Sequence, residues 1–100
     1  MNAYVISEVK FLDEELAAQY RRLAEASILE HDGRYIVRGA EADVVEGEPA
    51  DYKIVIVEFP SMARAHEWYG SPSYAGALEI SKTALQRKLT FVEGIPVPQD

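Results

Sequence analysis

Cysteine is absent from all 100 residues, which removes disulfides, thiolate metal sites and thiol nucleophiles together. Basic charge is scarce. Ten Lys and Arg stand against seventeen Asp and Glu, a formal net charge of −7, and no basic run exceeds Arg21-Arg22 or Arg87-Lys88. Such a chain repels phosphate backbones and anionic headgroups, so neither nucleic acid nor a membrane surface is an expected partner. Long apolar runs are missing too, and nothing approaches the ~20 residues that span a bilayer. Met1-Asn2-Ala3-Tyr4 has neither the basic region nor the apolar run of a secretion signal, and a cytoplasmic protein is expected. No GxSxG, GxGxxG or GxxxxGKS occurs, and His31 and His66 have no partner at metal-ligand spacing. No metal and no cofactor is expected.

What is present is an ordinary globular mixture, 48% hydrophobic and 27% charged, which a disordered chain would not show. One domain is expected over residues 1–100, with 94–100 as an extended tail containing two prolines. "AYVISEV", Ala3 to Val9, is rich in β-branched and aromatic residues and reads as a strand. Asp13 can cap a helix whose first turn carries Glu14 and Glu15 and whose stripe is Leu16, Tyr20, Leu23, Ser27 and Ile28. Gly33 is expected to supply its left-handed stop.

A second strand is expected from Arg34 to Gly39, interrupted near Gly39 by a bulge and able to resume through "ADVV". "EGEPAD" has the glycine and proline of a turn, leading by a hairpin to a third strand from Tyr52 to Phe59 that Pro60 closes. Ser61 caps a helix to about Tyr69. Ser71 caps another, with Pro72 at its first position, and a stripe of Tyr74, Leu78, Ser81 and Leu85 follows. Ser73 reads as a turn residue beside these caps. "KLTFVE", Lys88 to Glu93, is the last strand.

The order β-α-β-β-α-β is that of an α+β, ferredoxin-like sandwich: a four-stranded antiparallel sheet with helices on one face. Its open face should alternate with polar residues, yet Ile54, Val55, Ile56 and Val57 leave strand three apolar on both sides. A second copy of the chain is the economical cover, which predicts a homodimer, two sheets packed face to face or closed into a barrel.

"HDGRYIVRG", "VIVEFPSMARAHEWYGSPSY" and "FVEG" resemble the bacterial family catalogued as domain of unknown function 1330, over essentially the whole chain. The resemblance implies the dimeric α/β-barrel form of the ferredoxin-like fold and no established activity. The family usually has two glycines where this chain has Asp32-Gly33, often a glycine at Ala40, and an acidic residue at Ser73. Relatives of the same broad fold include cofactor-independent monooxygenases and lactone isomerases.

Strand parity places Glu58 with Tyr52, Ile54 and Ile56. With a turn near Glu48-Pro49, Arg38 falls opposite the Glu58 and Phe59 region, within reach of an ion pair. In a functional reading Arg38 anchors a carboxylate or enolate of a small organic ligand, and Glu58 orients it or acts as general base. In a structural reading the pair fixes register or a dimer contact. Trp68, Tyr69 and Tyr74, at the break between two helices, are candidate ligand contacts, Tyr74 foremost for its hydroxyl. His31 is a helix cap or an acid-base candidate, and His66 reads as a surface residue. Three functions stay open: a small-ligand-binding barrel, a non-catalytic interaction or stress-associated module, and a cofactor-independent oxygenase or isomerase.

Overall fold

Alternation decides which way each strand faces. In β1 (Ala3–Phe11) the odd positions Ala3, Val5, Ser7 and Val9 are buried while Tyr4, Ile6 and Glu8 are half-covered. The buried set faces the helices. After β1 come α1 (Glu14–Glu30), β2 (Arg34–Glu41), β3 (Lys53–Phe59), α2 (Met62–Tyr69), α3 (Pro72–Ala84) and β4 (Leu85–Glu93). The computed structural model describes residues 1–96; of the tail expected at 94–100, residues 97–100 lie outside them. The sheet is antiparallel in the order β2-β3-β1-β4, with all three helices on one face. This is the ferredoxin-like fold. Among the described residues no helix is long and apolar enough to cross a membrane.

The caps fall where short polar side chains can satisfy the first free N–H groups. Asp13 accepts from Leu16 N at 3.0 Å, Ser61 from Arg64 N at 3.0 Å and Ser71 from Tyr74 N at 3.2 Å, each capping its helix. Three strands extend beyond their expected bounds. β1 runs on to Phe11, and β4 begins at Leu85, directly after the helix, where Leu12 N donates to Ala84 O at 2.8 Å. Leu85 is thus the first residue of a strand and not the last of a helical stripe. β2 reaches Glu41 and does not resume through residues 42–45.

The stop after α1 also differs from expectation. The left-handed residue is Asp32, at φ 64, a conformation that aspartate tolerates better than most side chains. Arg64 holds its carboxylate at 3.2 Å. Gly33 serves close approach instead, because a Cβ there would lie 2.7 Å from both Ile28 Cγ2 and Phe59 Cε1. Phe59 is fully buried beneath Trp68, with ring centroids 5.3 Å apart, so it cannot retreat.

Gly33→Ala is expected to destabilise the domain by about 1–3 kcal/mol through overpacking. For a domain of this size each kcal/mol corresponds to roughly 4–8 °C in Tm. Thermal melts followed by circular dichroism check it. A Tm unchanged within a degree would contradict the close-packing role.

Candidate functional site

The two faces of the sheet carry different chemistry, and irregularities in β2 decide which residue belongs to which. Arg34 stands opposite Glu58 and Tyr35 opposite Val57, but the register then shifts, so that Val37 faces Ile56, and shifts again, so that Arg38 faces Val55 and Ala40 faces Ile54. Each bulge inserts one residue and reverses parity. Gly39, at φ 81, occupies the second, and the connection from Glu41 to Lys53 is centred on Gly47, not on Glu48-Pro49. Arg38 therefore lies on the helix face while Glu58 lies on the open face. The expected Arg38–Glu58 pair does not form.

Each has another partner. Glu58 Oε1 accepts from Arg34 Nε at 2.8 Å, and that bond, chiefly, holds the Glu58 carboxyl below its ordinary value. Arg38 Nη2 donates to Glu25 Oε2 at 2.6 Å and lies over the Tyr35 ring, 4.5 Å from its centroid.

Between the helix face and the helices lies a cavity of about 220 Å³. Its walls are mostly apolar, from Val5, Val9, Ile28, Val55, Val57 and Leu89, with Trp68 among the rings. Arg21, Arg38 and Arg87 also line it, whereas no Asp or Glu does. Each guanidinium covers an aromatic ring on the same wall: Arg21 over Phe11 at 4.7 Å, Arg38 over Tyr35 at 4.5 Å and Arg87 over Tyr20 at 5.3 Å. Arg21 and Arg38 are about half exposed, 41% and 54%, and mark the rim. Arg87 is more deeply placed and, among the described residues, has no ion-pair partner.

Arg87 is held by two phenols. Its Nη1 donates to Tyr20 Oη at 2.8 Å and its Nη2 to Tyr74 Oη at 2.9 Å, while the two hydroxyls lie 2.8 Å apart. Burial opposes the Arg87 charge, yet the Tyr20 and Tyr74 oxygens outweigh it and keep the guanidinium above its ordinary value. Burial, with Tyr20 beside it, pushes the fully buried Tyr74 phenol well up. Burial likewise raises Tyr35, to about 12. Tyr74 and Tyr35 therefore stay neutral through the physiological range, and their hydroxyls can donate hydrogen bonds.

The sequence candidates are only partly gathered here. Arg38 and Trp68 line the cavity; Trp68 is 2% exposed and donates from Nε1 to Ser27 Oγ at 3.0 Å. Tyr74 stands behind the wall, its hydroxyl committed to Arg87 and Tyr20. Tyr69 lies outside the lining, 38% exposed, edge-on to Phe91. Glu58 is on the opposite face. His31 caps α1, donating from Nδ1 to Ser27 O at 2.8 Å, away from the cavity, and His66 is exposed, its ring 4.9 Å from Phe91. Among the described residues no three of His, Asp and Glu converge to hold a metal ion.

Arg87, Tyr20, Tyr35 and Ser7 escaped the sequence reading. A signal existed for two of them. Leu85, Arg87, Leu89 and Phe91 share one parity of β4, and Ala3, Val5, Ser7 and Val9 one parity of β1, so a polar residue interrupts each apolar face. Starting the last strand at Lys88 hid Arg87.

Comparison with known proteins agrees with this architecture. A protein of unknown function from Rhodopseudomonas palustris is similar over 96% of this chain and 84% of its own, at 19% identity and TM-score 0.75. SnoaB, a cofactor-independent oxygenase from Streptomyces nogalater, aligns over 99% and 98% at 6% identity and TM-score 0.69. A dimeric ferredoxin-like protein of unknown function from Jannaschia aligns over 94% and 100% at 11% identity and TM-score 0.65. No curated protein matches by sequence. At these identities the structures share the fold alone. The domain of unknown function DUF1330 matches residues 2–95, almost the whole chain, and this protein belongs to that family.

Proposed function

We propose that this protein binds a small anionic or carbonyl-bearing organic molecule in the cavity between sheet and helices, and does so as a homodimer. One observation carries the ligand reading: a chain with net charge −7 lines its apolar cavity with three guanidiniums and no carboxylate. Of the three, Arg87 has no carboxylate partner among the described residues; a cation withdrawn from water without a counter-charge is costly, and an anionic ligand removes that cost. Arg87 is the anchor, in the role the sequence reading gave to Arg38, which now sits at the rim with Glu25. Glu58 and His31 lie away from the cavity, so the binding reading assigns them no chemistry. The cofactor-independent oxygenase among the similar folds keeps a catalytic version of this reading as the second candidate.

The open face supports the dimer. Tyr4, Ile6, Val37, Ile54 and Ile56 form its half-covered centre, and Val92 is 39% exposed beside them. A contiguous apolar face of this kind marks an interface, and one similar fold is described as dimeric. The Arg34–Glu58 pair borders it and fits a register contact between copies better than a catalytic one.

Native mass spectrometry of gently purified protein is expected to show a dimer carrying a small extra mass that the Arg87→Met variant has lost. A dimer in both, with the same extra mass, would remove Arg87 as anchor. Ile56→Lys on the open face is expected to give monomers by sedimentation, and an unchanged dimer would place the interface elsewhere.

Stability should also respond to alkali. Tyr74 and Tyr35 have folded pKa values raised above the ordinary phenol value of 10.0, so between that value and the folded one the native state binds more protons than the unfolded. Their contribution is complete below about pH 10 and falls as pH rises beyond it. Thermal melts from pH 8 to about 12 are expected to show Tm falling above about pH 10, less steeply in Tyr74→Phe than in wild type. Equal slopes would contradict the buried neutral phenol.

A further inference from the structure

The hydrogen atoms of the phenol pair can be counted. Arg87 only donates, so both phenol oxygens accept from it, and two hydroxyl hydrogens remain. Tyr74 is 0% exposed, and among its hydrogen-bond partners in the described residues the Tyr20 oxygen is the one side-chain acceptor its hydroxyl can reach. If Tyr20 donated instead, the Tyr74 hydrogen would be buried without a partner, at a cost of about 1–3 kcal/mol. Tyr74 therefore donates to Tyr20, and the Tyr20 hydrogen is the one left over. Tyr20 lines the cavity and Tyr74 does not. A hydroxyl that accepts from both a guanidinium and another phenol is also polarised into a stronger donor.

Size adds a second constraint. An apolar cavity of ~150 Å³ is known to hold benzene, and here the volume is about 220 Å³, leaving room for one ring and one or two substituents. The walls offer flat partners for a ring in Trp68, Tyr35 and Phe11. On the floor, Ser7 pairs with Leu89 and Val9 with Arg87, so Ser7 and Arg87 are diagonal neighbours on the cavity face, and a second hydroxyl stands near the cation.

Building on the binding reading above, we infer that the ligand class is a single-ring organic acid, a carboxylate or phenolate whose oxygen receives the Tyr20 hydroxyl hydrogen and faces the Arg87 guanidinium. Tyr20 and Arg87 then select for charge and the apolar walls for one ring.

Trp68 is the one tryptophan in the chain and touches the cavity, so its fluorescence reports occupancy. Titrations of the intact protein with benzoate, 4-nitrophenolate, benzyl alcohol and 2-naphthoate, read by Trp68 emission and checked by calorimetry, test the inference. Benzoate and 4-nitrophenolate are expected to bind, with benzyl alcohol and 2-naphthoate each about tenfold weaker or worse. Tyr20→Phe is expected to lose about tenfold in benzoate affinity, while Tyr69→Phe, outside the cavity lining, stays within about threefold. Should Tyr20→Phe fail to fold, the ligand series on the wild-type protein still decides the class.

Naphthoate binding as tightly as benzoate would overturn the single-ring inference and leave the anion site standing. Benzyl alcohol binding as tightly as benzoate would overturn the anion site itself. Equal losses in the two tyrosine variants would overturn the donor assignment, and no response to any compound at millimolar concentration would overturn inference and binding reading together.

Discussion

The bond from Arg87 to two tyrosines joins three elements that would otherwise meet only through apolar contact. Arg87 stands on β4, Tyr20 on α1 and Tyr74 on α3. Satisfying one guanidinium fixes the height and rotation of both helices above the sheet, since a shift that breaks either bond strands a polar group away from water. The aromatic packing follows from that anchor. Tyr74 lies 4.2 Å from Trp68, which lies 5.3 Å from Phe59, and Phe59 in turn closes on Gly33. Cavity volume thus depends on a polar contact as much as on the apolar walls.

β2 separates the two surfaces on which the protein depends. A strand of regular pleat would have put Arg34 and Arg38 on the same side. With one residue inserted after Tyr35, Arg34 remains beside Glu58 on the open face and Arg38 enters the cavity wall. The second insertion, at Gly39, uses positive φ where no neighbour lies within 4 Å of a Cβ, so backbone conformation and not crowding is the reason for glycine there. A bulge re-aims side chains without changing the order of strands.

Element order was readable because strands and helices here carry strong local signals: β-branched runs, three polar N-caps, and Pro60 and Pro72 as punctuation. The DUF1330 resemblance was readable for the same reason, since its motifs lie at these boundaries. The site was less legible. Plain alternation from a turn at Glu48-Pro49 sets Arg38 against Glu58; the connection is centred on Gly47 and the bulge at Gly39 shifts the count by one more, so Arg38 faces Val55 on the other side of the sheet. Arg87 was hidden by a strand that starts without a loop. Tyr20 and Tyr74 had the spacing of core residues, and core residues they are; only the meeting of their hydroxyls across 54 positions gives them another role. No single-residue pattern announces a contact of that range.

Phenols differ from carboxylates in what they leave behind. An aspartate or glutamate beneath Arg87 would satisfy its hydrogen bonds and cancel its charge, producing a closed ion pair like Arg34–Glu58. Phenol hydroxyls satisfy the same donors without bringing a carboxylate, so no carboxylate cancels the positive charge of Arg87 inside the apolar enclosure. At the rim, Arg38 is balanced by Glu25 at 2.6 Å and Arg21 more loosely by Glu14 at 3.9 Å. Counter-charge thus weakens from the rim inward, and the potential that an incoming anion meets is most favourable at the tyrosine pair. An acidic protein that must repel anions over its surface can in this way attract one at a single interior point.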